Sequence, residues 1–274
     1  MHSSQNQLAC TSSVRNGIHV KVFADTVDAN TSVATEIASL VRERAEHGQR
    51  CVLGLATGST PVGVYRELIR MHRDEGLSLQ NVVTFNLDEY YPIQPDAPQS
   101  YVRFMNERLF DFVDIDRRNI HIPDGTRPLE SVEEDCRAYE QQIANAGGID
   151  MQILGIGRTG HIGFNEPGSA RDCLTRMVKL NALTRKDTAD AFGGIEKVPE
   201  SAITMGVNTI LSARRIRLLA FGERKASIIE HAVYGDVSDC VPATFLQGHR
   251  DVQFLLDEAA GAKLESAQDD RCPS

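Results

Sequence analysis

Met151-Gln-Ile-Leu-Gly-Ile-Gly-Arg-Thr-Gly-His-Ile-Gly-Phe-Asn-Glu-Pro167 is the stretch from which the fold reads outward. Met151 to Leu154 is a short apolar run, the mark of a buried strand. A glycine-rich loop follows it directly and carries an imidazole, His161, and a carboxylate, Glu166, five residues apart. Val82 to Asn86 repeats the arrangement, with Asp88 and Glu89 at its exit. Acids and a histidine at the ends of buried strands are how an open α/β sheet builds a catalytic pocket. The leading expectation is an enzyme acting on a small polar molecule.

The flanking sequence keeps the alternation going. His19 to Phe23, Cys51 to Leu55, Ile216 to Phe221 and Val252 to Leu256 read as further strands. Ser32 to Ala45 reads as a helix, with Val33, Ile37, Leu40 and Val41 at helical spacing. Pro61 to His72, Tyr101 to Phe110, Leu129 to Ile143 and Arg224 to Tyr234 read likewise. Strands alternating with helices require crossover connections. They predict an α/β fold: an open, mainly parallel, Rossmann-like sheet with helices on both faces. Residues 18–264 read as a single α/β catalytic domain. Residues 1–17 are polar and lack an apolar core, so they predict a flexible tail rather than a secretory signal. Residues 265–274 predict a second flexible tail. Asn181 to Pro199 is charged and weakly periodic, and reads equally as a mobile flap or a surface excursion.

The bulk composition narrows the function. A net charge of −9 over 274 residues argues against nucleic acid as the main partner, since phosphate backbones need basic stripes. No apolar run approaches the roughly 20 residues of a membrane span. Cys10, Cys51, Cys136, Cys173, Cys240 and Cys272 are scattered, with no Cys-x-x-Cys pair, and read as free thiols of a cytoplasmic protein.

Four features carry chemistry. In Leu55-Ala-Thr-Gly-Ser-Thr-Pro61, Thr60 reads as an N-cap and Pro61 as the first helical residue. Thr57, Gly58, Ser59 and Thr60 then form either a phosphate cradle or merely a well-capped helix start. Asp88, desolvated beside Phe85 and Tyr90, is a candidate general base. His161, oriented by Glu166, is a candidate proton shuttle. Lys225 stands after a strand at the opening of a helix, where it can reach a phosphate. Gly155-Ile-Gly-Arg-Thr-Gly160 has dinucleotide-motif spacing, but Pro167 and the following glycines deny the helix that motif needs. No second histidine or cysteine cluster accompanies His161, so no metal is expected.

Taken together, these pieces resemble the glucosamine-6-phosphate deaminases of the glucosamine/galactosamine-6-phosphate isomerase family. The resemblance runs from about Val20 to Leu264. It rests on Ala56–Pro61, Val83–Tyr90, Ser100–Tyr101, Gly160–Pro167, Val198-Pro-Glu-Ser-Ala-Ile-Thr-Met-Gly206 and Gly222-Glu-Arg-Lys-Ala226. It implies conversion of glucosamine 6-phosphate and water to fructose 6-phosphate and ammonia, with no cofactor and no metal. It implies Asp88 as the base for the C2 proton, His161 as the ring-opening group and Glu166 as the residue that polarises it. The Thr57–Thr60 loop and Lys225 are implied to hold the phosphate. The implied partner is a small-molecule sugar phosphate, and a homo-oligomer is in keeping with the family. The rival readings are a 6-phosphogluconolactonase-like hydrolase and a non-catalytic sugar-phosphate sensor.

Three positions depart from the family pattern. Thr159 stands where the family carries an aspartate two residues before the histidine. Asp190 stands where an arginine serves the phosphate, with Arg185 as the nearby substitute. Ser169 and Arg176 fit the family's effector site, but Val178 stands where its lysine belongs, so effector control is not implied.

Overall fold

The structure is a computed structural model and describes residues 10–269. It opens on a hairpin: β1 (Cys10–Arg15) pairs antiparallel with β2 (Ile18–Phe23). Part of the expected N-terminal tail is therefore an edge strand. Its polarity suits an exposed edge, and the Asn16–Gly17 turn, with φ of 45° and 80°, is the hairpin signal that its polar composition hid. Residues 1–9 lie outside the described residues.

The helix α1 (Thr26–Glu46) follows, capped by the Asp25 side chain on the Asp28 amide. Then come β3 (Cys51–Leu55), α2 (Val62–Glu75) and β4 (Val82–Asn86). The strand β5 (Asp88–Tyr91) leaves the main sheet after a single residue, and α3 (Tyr101–Arg108), β6 (Ile120–His121), α4 (Val132–Asn145) and β7 (Met151–Leu154) follow. Beyond the His161 loop lie β8 (Arg176–Lys179), α5 (Ala182–Phe192), β9 (Ser201–Thr204) and α6 (Val207–Leu211). The chain finishes with β10 (Arg215–Ala220), α7 (Ala226–Tyr234), β11 (Val252–Asp257) and α8 (Glu258–Asp269). Residues 265–269, expected as tail, continue α8; residues 270–274 lie outside the described residues.

Eight strands form one sheet in the order β1-β2-β11-β10-β7-β3-β4-β6. Every pairing is parallel except β1 with β2. Alternate strand residues feed two cores. Leu53, Leu55, Met151 and Ile153 pack with α1, α2 and α3, whereas Val52, Phe85, Leu154 and Leu218 pack with α4, α7 and α8. This is the α/β fold with helices on both faces.

Strand order reverses between β3 and β7: β4 and β6 extend one way, β10 and β11 the other. The loops after such a switch point diverge and leave a crevice at the carboxyl ends of the strands. A three-stranded antiparallel sheet, β5-β9-β8, stands beside that crevice. This second sheet, absent from the expected elements, is built from strands of four residues each, too short to show a period.

Candidate active site

A cavity of about 930 Å³ opens at the switch point. The loop after β3 contributes Ala56 to Thr60, and the loop after β7 contributes Gly155 to Arg158 and His161. Asp88 comes from β5, Thr184, Asp187 and Thr188 from α5, and Lys225 from the turn before α7. The two distant sequence motifs therefore converge. A Cβ on Gly163 would lie 3.5 Å from Asp88 Oδ2, so the His161 loop passes beside that carboxylate.

Asp88 and Glu89 sit within β5, not in a loop as expected. Strand alternation sends their side chains to opposite faces. Asp88 faces the cavity, 6% exposed. Burial, then the charge of Glu89, pushes its carboxyl up to about 8. Glu89 turns toward α3 and accepts from Ser100 Oγ at 2.8 Å, Tyr101 N at 2.8 Å and Val102 N at 3.1 Å. Burial raises its pKa too, but these donors oppose the rise. Two adjacent acids thus have separate duties: one is left without a cation, the other ties down a helix N-terminus.

The expected partnership of His161 and Glu166 is present. The Nδ1 of His161 lies 3.1 Å from Glu166 Oε2 and 2.9 Å from Thr159 Oγ1. The Thr159 hydroxyl donates to the same Glu166 oxygen at 3.1 Å. The other Glu166 oxygen accepts from the Thr184 hydroxyl. Burial pushes the Glu166 carboxyl up, but His161 and the two threonine hydroxyls outweigh it and hold it below the ordinary value. An ionised Glu166 keeps the imidazole proton on Nδ1 and leaves Nε2 as the base. The imidazole packs against Gly157, where an added Cβ would lie 2.0 Å from Nε2. Only glycine permits that approach.

The Thr57–Thr60 loop lines the cavity, and the expected cap is corrected. Pro61, not Thr60, is the N-cap, and no side chain caps the helix. The Pro61 carbonyl accepts the first α-helical bond, from the Tyr65 amide at 3.1 Å, so Val62 is the first helical residue. The opening amides of α2 keep their hydrogen-bonding capacity for a ligand. Lys225 lines the cavity and donates to Ile156 O at 2.7 Å; burial lowers its pKa.

Arg185 does not line the cavity. Its Nη2 donates to the Ile195 and Val198 carbonyls, both at 3.1 Å, which fixes the end of the Asn181–Pro199 segment. That segment carries an 11-residue helix whose Thr184, Asp187 and Thr188 wall the cavity. None of these three stands out in the sequence; their i, i+3, i+4 spacing on one helix face is the available signal. Tyr90, Tyr101 and Phe164 form an aromatic wall, with Tyr90 and Tyr101 ring centroids 5.1 Å apart. Among the described residues, no group of three or more His, Cys, Asp or Glu side chains is placed to hold a metal ion. No helix there is long and apolar enough to cross a membrane.

The family profile described as "Glucosamine-6-phosphate isomerases/6-phosphogluconolactonase" matches residues 24–254. A glucosamine-6-phosphate deaminase of Thermoanaerobacter sp. is 44% identical over 232 residues, 85% of this chain and 91% of that protein. A glucosamine-6-phosphate deaminase-like protein of Bacteroides thetaiotaomicron is 45% identical over 92% of this chain, which spans only 38% of that longer protein. The solved structure of a monomeric glucosamine-6-phosphate deaminase superposes with a TM-score of 0.85 at 42% identity, covering 89% of this chain and 98% of that one.

Proposed function

Since the chain belongs to the glucosamine-6-phosphate isomerase and 6-phosphogluconolactonase family, we infer that it is an enzyme that deaminates and isomerises glucosamine 6-phosphate. Water enters, and fructose 6-phosphate and ammonia leave. One observation carries the reading: Asp88 and His161, the latter backed by Glu166, line a single cavity beside the Thr57–Thr60 loop.

The phosphate docks on the loop amides and hydroxyls and on Lys225. His161 Nε2 takes the proton of the C1 hydroxyl and returns one to the ring oxygen, which opens the sugar. Glu166 stabilises the imidazolium formed in between. Asp88 then takes the C2 proton and delivers it to C1. The electron pair left behind forms the C1–C2 double bond as O1 takes a proton lost from the nitrogen; the nitrogen lone pair then forms the C2 imine as C1 receives the proton from Asp88. Water adds to that carbon and ammonia departs, leaving the ketone. Asp88 must be ionised to act, and burial, then the charge of Glu89, pushes its carboxyl up to about 8, toward the neutral form at pH 7. The substrate's ammonium, arriving beside it, favours the carboxylate.

The partner is a small-molecule sugar phosphate. A homo-oligomer is in keeping with the resemblance, although one solved relative is monomeric. A cytoplasmic setting is supported by free thiols at Cys51 and Cys136. The test is direct. Purified protein given glucosamine 6-phosphate should yield ammonia and fructose 6-phosphate in equal amounts. A lactonase would release no ammonia, and a sensor would bind without turnover; either result refutes the reading.

A further inference from the structure

Arg158, Asp187 and Lys225 share one side of the cavity, whose lining also includes Arg224. Arg158, in the loop after β7, donates from Nη1 to Asp187 Oδ1 of α5 at 2.8 Å. Both line the cavity, and their side chains are 60% and 40% exposed. After burial, these are the two charges that act on Lys225: Asp187 raises its pKa and Arg158 lowers it. The three groups therefore share one local field.

An ion pair this exposed is weak, so it is a resting contact that a stronger anion can displace. A phosphate monoester carries about −1.5 to −2 at neutral pH. Lys225 offers one positive charge, and burial disfavours that charge. A guanidinium keeps its charge at any working pH and matches two phosphate oxygens at once. Arg185 cannot serve, because carbonyls of Ile195 and Val198 hold it.

We propose that Arg158 is a second phosphate ligand of this site: it exchanges Asp187 for the substrate's phosphate, and Asp187 sets affinity by competing for it. The proposal rests on the sugar-phosphate reading above and specifies how the site distinguishes a phosphorylated sugar from a free one.

Two variants, Arg158→Ala and Asp187→Asn, destroy the same ion pair. If the pair were only a latch between loop and helix, both would shift phosphate affinity in the same direction. If Arg158 is a ligand, the shifts oppose. Arg158→Ala should raise KM for glucosamine 6-phosphate about 10- to 100-fold, with kcat changed far less. Asp187→Asn should lower KM several-fold, because the guanidinium is freed and a repelling carboxylate is gone. Arg158→Lys should fall between wild type and Arg158→Ala. Calorimetry with inorganic phosphate should give Kd shifts of the same opposed signs, and it needs no turnover. A wild-type protein that releases no ammonia defeats the deaminase reading and leaves this measurement standing. No phosphate binding by wild type, an unchanged Kd in Arg158→Ala, or shifts of equal sign in the two variants overturns the proposal.

Discussion

The two ends of the parallel sheet handle buried carboxylates in opposite ways. At the amino end, Asp150 is 4% exposed and fully engaged. Arg44 Nη2 reaches it at 2.6 Å, Arg214 Nη1 at 3.1 Å and the Val52 amide at 2.9 Å. At the carboxyl end, Asp88 is buried as deeply, yet burial and the neighbouring Glu89 both raise its pKa and no cation opposes them. A buried charge that is paired supports architecture; one left unpaired is poised for proton transfer.

The sharpest way to break this contrast is to remove each carboxylate in turn. Asp88→Asn should cut turnover about 10³- to 10⁴-fold while the fold persists, since an amide cannot accept the C2 proton. The same variant should be more stable than wild type, by an amount that depends on pH. The folded pKa of Asp88, about 8, lies above its unfolded value, so the fold prefers the neutral acid. The wild-type penalty is absent below about pH 4. It grows as pH rises toward 8 and then levels off, reaching on the order of a few kcal/mol. Melting curves of both proteins from pH 4 to 9 should diverge along that course; parallel curves would show that Asp88 titrates normally.

Asp150→Ala should do the reverse. It leaves the buried Val52 amide without its acceptor and removes the carboxylate shared by two part-exposed arginines, and should cost about 1–3 kcal/mol of unfolding free energy by denaturant titration. Turnover per folded molecule should hold. A smaller effect is expected from Gly157→Ala. The added methyl displaces the His161 ring, and kcat should fall about 100-fold with little change in melting temperature. Smallest is Thr159→Val. It removes one hydroxyl from the His161–Glu166 pair, and about a tenfold loss in kcat follows if that hydroxyl holds the pair in place.

How much of this was legible before any coordinates depended on the length of the signal. The buried strands Cys51–Leu55, Val82–Asn86 and Met151–Leu154 occupy the spans their apolar runs announce. The candidate residues Asp88, His161, Thr57–Thr60 and Lys225 all line one cavity, because the switch point gathers the loops at that end, and Glu166 stands behind His161. The β1 strand was hidden by its own exposure: Cys-Thr-Ser-Ser-Val-Arg buries nothing that a hydrophobic pattern could register. Arg158 escaped notice because a lone exposed arginine in a glycine loop carries no pattern, and its meaning comes from Asp187, 29 residues away. The expected cap at Thr60 lies one position too early: the Pro61 carbonyl accepts the first α-helical bond, and local propensity does not separate the two starting points.

The small sheet acts as a ruler for the reaction. Asp88 is registered opposite Thr204, Glu89 opposite Ile203 and Tyr90 opposite Ala202. A slip of one residue along that ladder would rotate the glutamate inward, carrying a longer arm into the space meant for a shorter one. It would also strip α3 of the acceptor that gathers its opening amides. Insertions or deletions between Asn86 and Asp88 should therefore be among the least tolerated in the chain, although the strand itself is only four residues long.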